Sequence, residues 1–211
     1  RRFLSHGPQT RRRQDVVCPV CLSHESHRLA WIYLNSTTNL TDGLSKKLLH
    51  FAPETEFADK FKRMKKVEYL SADLGSPHAM VQMDITDIDF PDSSLDIIIC
   101  SHILEHVHDD CRAISEMFRV LIPGGWAMIQ VPIGDGPTKE DPSIIDPAER
   151  EGLFWKSDHV RLYGLDIEKR LVEGGFDVKV VFGHELVKPQ DFEKMGIFPD
   201  DPIFHCIKPS A

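Results

Sequence analysis

No apolar run in this 211-residue sequence approaches the ~20 residues that cross a bilayer as a helix. No signal peptide is visible at its start either, so no membrane span is expected. The sequence begins Arg1-Arg2-Phe3 without an initiator Met, as a fragment or a processed form would. Cysteine is sparse and odd in number: of five, only Cys18 and Cys21 sit close together. That argues against a disulfide framework and points to a reducing, cytoplasmic setting. Cys18-Pro19-Val20-Cys21 is a turn of the sort that supplies two thiolates to a zinc ribbon, but a closed structural site needs four ligands. A second Cys-x-x-Cys is missing, and the spacing of His24 and His27 is irregular. Two readings stay open: half a ribbon whose partner pair lies upstream of Arg1, or two free thiols in a turn. Zinc is expected only if that knuckle is complete.

Positive charge is also short. The net charge of −8 argues against a surface that is one large nucleic-acid footprint. The exception is local, with Arg1, Arg2, Arg11, Arg12 and Arg13 crowded into the first thirteen residues, and it reads as a solvated arm. Residues 1–26 are taken as an amino-terminal arm and residues 27–211 as one domain, long enough to bury a sizeable core. Hydrophobic content of 41% and charge of 27% are ordinary for such a domain.

What is present organises itself around Leu95-Asp96-Ile97-Ile98-Ile99-Cys100. This short β-branched run reads as a strand buried on both faces, the signature of a parallel sheet covered by helices. Polar residues follow at Ser101, and Ile103, Leu104 and Val107 read as the apolar face of a helix. The end of such a strand lies at the carboxyl edge of its sheet, where open α/β folds bind ligands. His102-x-x-Glu105-His106 there also matches the inverted zinc-peptidase pattern, with two His one helical turn apart. Its context speaks against a peptidase: a buried strand runs straight into it, and Pro123-Gly124-Gly125 follows one helix later.

Strands alternate with helices along the rest of the sequence. An amphipathic helix starts at His27. Strands are predicted at 47–51, 67–72, 81–83, 126–131, 177–182 and 203–208, and helices at 56–64, 110–121 and 165–173. Pro123-Gly124-Gly125 is read as the stop of the helix before it. The aperiodic stretch 132–157 is too long for an ordinary connection and reads as a lid. The last two strands, joined only by a loop, are expected to be antiparallel. The fold class is therefore α/β: a doubly wound, Rossmann-like, mostly parallel seven-stranded sheet with an antiparallel last strand.

Three strands end in acids or acid-bearing turns: Glu54 after the first, Asp73 after the second, Asp84 after the third. Asp73 stands about 20 residues past the first turn, where a nucleotide-binding half-sheet keeps its ribose partner. Asp84 suits an adenine amino group, with Ile85 packing on the ring. A Gly-x-Gly-x-x-Gly turn is absent, and Ala52-Pro53-Glu54 stands in its place. Glu54 would repel a pyrophosphate, which needs bare N–H groups, whereas a cofactor with a cationic amine suits it. That points to S-adenosylmethionine rather than NAD.

The segments LLHFAPE, YLSADL, MDITDIDFPDSSLDIIICSHILEHV and RVLIPGGWAMIQVPI, with DHVRLYG and EGGFDVKVV in the tail, together resemble the class I S-adenosylmethionine-dependent methyltransferases. The likeness is to the methyltransferase-11-like group, in particular a subgroup with an LHFAPE turn and a preceding Cys-rich knuckle ending in CPxC. The resemblance implies that Phe51, Ala52, Pro53 and Glu54 line the methionine end and that Asp73 holds the ribose. Asp84 and Ile85 would take the adenine, and Cys100 and Ser101 would offer backbone near the sulfonium. The usual glycine-rich first motif reads His50-Phe51-Ala52-Pro53-Glu54 here. His102, His106 and His159 are the candidate bases for an acceptor hydroxyl or amine. The function expected is methyl transfer to a small-molecule acceptor. The alternatives are an RNA methyltransferase using the Arg-rich arm, or a non-catalytic module that keeps the fold.

Overall fold

The computed structural model describes residues 17–210, so the five arginines of the amino-terminal arm lie outside it. Chain order is α1 (Glu25–Ser36), β1 (Lys46–Phe51), α2 (Thr55–Lys62), β2 (Val67–Asp73), β3 (Val81–Gln82), β4 (Leu95–Ser101), α3 (Asp110–Val120) and β5 (Leu121–Gln130). Then come β6 (Lys139–Glu140), α4 (Pro147–Phe154), β7 (Arg161–Leu162), α5 (Ile167–Glu173), β8 (Asp177–Phe182), α6 (Gly183–Leu186), α7 (Phe192–Met195) and β9 (Pro202–Ile207). Seven strands form one sheet in the order β3-β2-β1-β4-β5-β9-β8. The first five are parallel, and β9 inserts antiparallel to β5. This is the doubly wound sheet expected from the alternation.

Burial explains why β4 is central. Leu95, Ile97, Ile98, Ile99 and Cys100 are all 2% exposed or less, so neither face of the strand meets water. Each such side chain contributes about 1.5–3 kcal/mol on leaving water, an upper bound against an extended unfolded chain. α3 covers one face with Ala113, Ile114, Met117 and Val120. It starts where the Asp109 carboxylate accepts the Arg112 N–H at 2.8 Å, a side-chain N-cap.

Two local expectations are corrected. The α3 helix is not stopped by Pro123-Gly124-Gly125; it ends at Val120, and β5 begins at once. Those residues sit inside β5, where the pairing with β4 jumps from Leu95↔Leu121 to Ile97↔Trp126. Gly124 has φ +79°, and a Cβ on Gly125 would meet Ile122 O at 2.9 Å and Asp96 O at 3.0 Å. The glycines therefore make an irregularity in a strand. The second correction concerns the chain after β4. Only the 3-10 turn Leu104–His106 forms, because His102 adopts φ +55° and breaks any helix from Ser101. His102 and His106 are thus not one α-helical turn apart, which removes the basis of the peptidase pattern.

The described residues fall into two compact units, 45–180 with 204–210, and 17–44 with 181–203. In the second, the buried face of α1 carries Leu29, Ala30, Tyr33 and Leu34. Its Arg28 donates to the carbonyls of Ser23, Met195 and Gly196. The stretch read as a structureless lid contains β6, paired antiparallel with β7, and α4, capped by Asp146.

His205, on β9 opposite Met128, packs its ring 5.4 Å from Trp126. Burial, aided by the charge of Lys179, pushes its pKa from 6.5 down to about 4. The unfolded chain therefore takes up this proton between pH 6.5 and 4 while the folded one refuses it. Stability from His205 is complete above pH 6.5 and drains away as pH falls toward 4. For a partly exposed ring the effect is about 1–2 kcal/mol. Urea unfolding at pH 7 and pH 4.5 should show a gap smaller by that amount in His205→Phe than in the parent.

Candidate functional site

The register places the candidate residues on one edge. Phe51 at the end of β1 lies opposite Ala72 of β2 and Cys100 of β4, so Ala52, Asp73 and Ser101 emerge side by side at the carboxyl edge. With adjacent strands about 4.8 Å apart, they line one shallow row. Ala52 takes φ +46°, a left-handed conformation that costs a non-glycine residue about 1 kcal/mol or more. Its N–H donates to Ala72 O at 2.8 Å. The turn thus has the backbone a glycine would give, although the sequence offers none there.

Pro53 follows, and Glu54 is the N-cap residue of α2, its carbonyl accepting from Phe57 and Ala58. The Glu54 carboxylate is fixed from below. His50 is fully buried; its Nε2 lies 2.7 Å from Glu54 Oε2, and its Nδ1 lies 3.2 Å from the Tyr69 hydroxyl. Phe57 and Phe61 enclose the imidazole, and burial pushes the Tyr69 phenol up to about 12. A charged oxygen at the sheet edge is therefore held by an apolar-walled relay. His50 was not among the sequence candidates; its place in HFAPE, four residues before Glu54, was the available signal.

Asp73 ends β2, and its Oδ1 accepts the Gly75 and Ser76 N–H groups at 2.8 and 2.7 Å, which leaves Oδ2 for a ligand. Asp84 Oδ1 accepts from the Thr86 N–H and hydroxyl, both at 2.8 Å. Ile85 is 5% exposed and belongs to the core cluster. Cys100 is wholly buried, and burial pushes its thiol up. Ser101 Oγ lies 3.4 Å from Gln130 Oε1, and the His102 N–H donates to Gln130 O at 2.8 Å, so β5 braces the end of β4.

The three candidate histidines do not form one group. His102 stands 3.6 Å from Glu105 Oε1 and is about one third exposed. His106 and His159 meet edge to face, ring centroids 4.7 Å apart, and Glu105 joins them. Burial holds the His159 imidazole below its ordinary pKa. Beside them, the Arg161 guanidinium donates to the carbonyls of Leu104, Val107 and His108. It also pairs with Glu140 at 3.0 Å and Asp110 at 3.6 Å. Arg170 and the Tyr163 hydroxyl complete the partners of Asp110. This clamp was not anticipated, since nothing in DHVRLYG marks its arginine as buried.

Residues 42–129 match the family described as Methyltransferase domain. Over that stretch the chain is similar to methyltransferase domains. A protein of Mycolicibacterium smegmatis named as a probable S-adenosylmethionine-dependent methyltransferase is 28% identical over 103 residues, 47% of this chain and 35% of that protein. The domain thus spans about a third of that relative's length. Among solved structures, YcgJ of Bacillus subtilis matches 88% of this chain and 100% of its own with a TM-score of 0.58 at 18% identity. The Haemonchus contortus phosphoethanolamine N-methyltransferase 2 in complex with S-adenosyl-L-methionine matches 88% of this chain and 53% of its own, TM-score 0.58 at 16% identity. These likenesses carry the methyltransferase fold. The described residues of the domain include no helix long and apolar enough to cross a membrane.

Proposed function

We propose that this domain binds S-adenosylmethionine along the carboxyl edge of β1, β2 and β4 and directs its methyl group to a small-molecule acceptor. The carrying observation is the pair of carboxylates on that edge, Glu54 held by His50 and Asp73 with one oxygen left over. Their chemistry fits a ligand with an ammonium at one end and a ribose diol at the other, and it disfavours a diphosphate. Phe51, Ala52, Pro53 and Glu54 serve the methionine end, Asp73 the ribose, Asp84 and Ile85 the adenine side. Cys100 and Ser101 give backbone beside the reacting centre.

When bound, the cofactor supplies an electrophilic methyl group on a sulfonium. Transfer is an in-line displacement, so the chain's task is to position the acceptor and exclude water. His102, partly exposed at the end of β4 and braced by Glu105, is the group placed to take the acceptor's proton. The segment between Gly134 and Val160 is rooted at this edge: the Gly134 N–H donates to Tyr163 O at 2.7 Å and the Val160 N–H to Glu105 O at 2.8 Å. Such a rooted excursion, together with the acidic net charge, supports a small acceptor over a nucleic acid.

The test is calorimetric titration of S-adenosylmethionine into the parent and Asp73→Asn. The amide still accepts the Gly75 and Ser76 N–H groups, so the turn survives while a charged acceptor is lost. Affinity should fall about 10-fold, the worth of one charge-assisted hydrogen bond. No heat with the parent at millimolar cofactor would remove the proposal.

A further inference from the structure

We infer that Glu105, His106 and His159 form a binding site for a divalent transition-metal ion of the zinc class. Their donor atoms lie within 4.8 Å of one another, and among the described residues this is the one group of three or more such side chains that converges. Two of the donors are buried and unsatisfied: Glu105 Oε2 and His159 Nε2 have no hydrogen-bond partner, and each residue is 1% exposed. Leaving a buried carboxylate oxygen and a ring nitrogen without partners costs several kcal/mol, and native interiors rarely tolerate it. A cation between them supplies what both lack.

The surroundings fix the ring nitrogens in the required sense. His159 Nδ1 lies 2.7 Å from the Phe154 carbonyl, which only accepts. Nδ1 therefore carries the proton, and Nε2 presents its lone pair to the cluster. His106 Nδ1 faces the Asp158 carboxylate at 3.2 Å, which leaves its Nε2 for the metal. A carbonyl on one ligand imidazole and a carboxylate on the other are the outer partners that orient metal-binding histidines. The backbone is anchored as well, by Val160 N–H on Glu105 O and by Arg161 on the neighbouring carbonyl of Leu104.

Donor chemistry selects the metal. Two imidazoles exclude the oxygen-seeking Mg2+ and Ca2+, and the absence of a thiolate disfavours Cu(I). Three protein ligands leave a fourth position open, as at reactive rather than structural zinc. Ligands bonded at about 2.1 Å in a tetrahedron lie ~3.4 Å apart. Closing from the present spacing falls to His106, whose side chain is about one third exposed and can turn. This site is distinct from the Cys18-Cys21 turn, and it stands whether or not the methyl-transfer reading holds.

Cys18→Ser with Cys21→Ser in the full chain removes competing thiolates; the protein is stripped with chelator and titrated with ZnCl2 by calorimetry. One zinc per chain is expected, with MgCl2 giving no heat, and zinc should raise the melting temperature. His106→Ala, at the exposed ligand, should keep the far-UV circular dichroism and chelator-treated melting of the parent. Its zinc affinity should drop on the order of 100-fold, and its melting should no longer respond to zinc. Glu105→Gln should weaken binding likewise. Zinc bound only while Cys18 and Cys21 are intact, or bound equally by His106→Ala, overturns the site. No methyl donor or acceptor is present, so the outcome is separable from that of the cofactor titration.

Discussion

Arg161→Met is expected to cost the fold about 2–4 kcal/mol, a drop of roughly 10 °C in melting temperature for a chain of this size. Arg161 is 5% exposed, and methionine reproduces its length without its donors. The carbonyls of Leu104, Val107 and His108 lose their shared partner. A buried carbonyl left bare costs about 1–3 kcal/mol, but Leu104 O still accepts the Val107 N–H at 3.2 Å and His108 is exposed, so water recovers part of the loss. Asp110 keeps Arg170 and Tyr163, and Glu140 keeps Arg170, so neither acid is abandoned. That is why the expected loss stays below the plain sum. The injury is also local: with the 104–108 turn unclamped, limited proteolysis should open the 134–160 segment first. A loss under ~1 kcal/mol with no change in cleavage would show that the clamp is ornamental.

How far this was legible in the sequence follows from what kind of contact each feature needs. The β-branched run Leu95–Cys100 announced a doubly buried strand because burial on both faces leaves no polar period. The strand-end acids Glu54, Asp73 and Asp84 could be placed because strand length alone sets where they emerge. Conformations decided by one residue were misread. His102 at φ +55° turned an apparent helix into a three-residue turn, and its pattern of apolar neighbours gave no warning. Pro123-Gly124-Gly125 looks like a helix stop, yet the helix had ended and the glycines serve a close approach to Asp96 O and Ile122 O. Tertiary convergence was illegible altogether. Glu105 and His159 come from opposite ends of a long excursion, and their meeting depends on Val160, Arg161 and Phe154, none of which carries a motif.

Glu54→Gln should separate the two carboxylates of the sheet edge by what each recognises. The substitution keeps a side-chain oxygen for His50 Nε2, now 2.7 Å from Oε2, so the relay from Tyr69 and the start of α2 persist. Only the charge goes. An ammonium about 4 Å from that charge gains ~4 kcal/mol at an effective dielectric of 20, part of which is offset by its lost hydration. The net loss of 2–3 kcal/mol corresponds to about 100-fold in affinity. S-adenosylhomocysteine, which carries the amine, should therefore bind on the order of 100-fold more weakly to Glu54→Gln. Methylthioadenosine, which has the nucleoside but no amino-acid tail, should bind parent and variant alike. Asp73→Asn should behave in the opposite way, weakening both ligands together because both present the same ribose. The crossed pattern is the signature of an edge that reads ammonium with one acid and diol with the other. If S-adenosylhomocysteine binds Glu54→Gln as tightly as the parent, the amine lies elsewhere and the first turn does not recognise the methionine end.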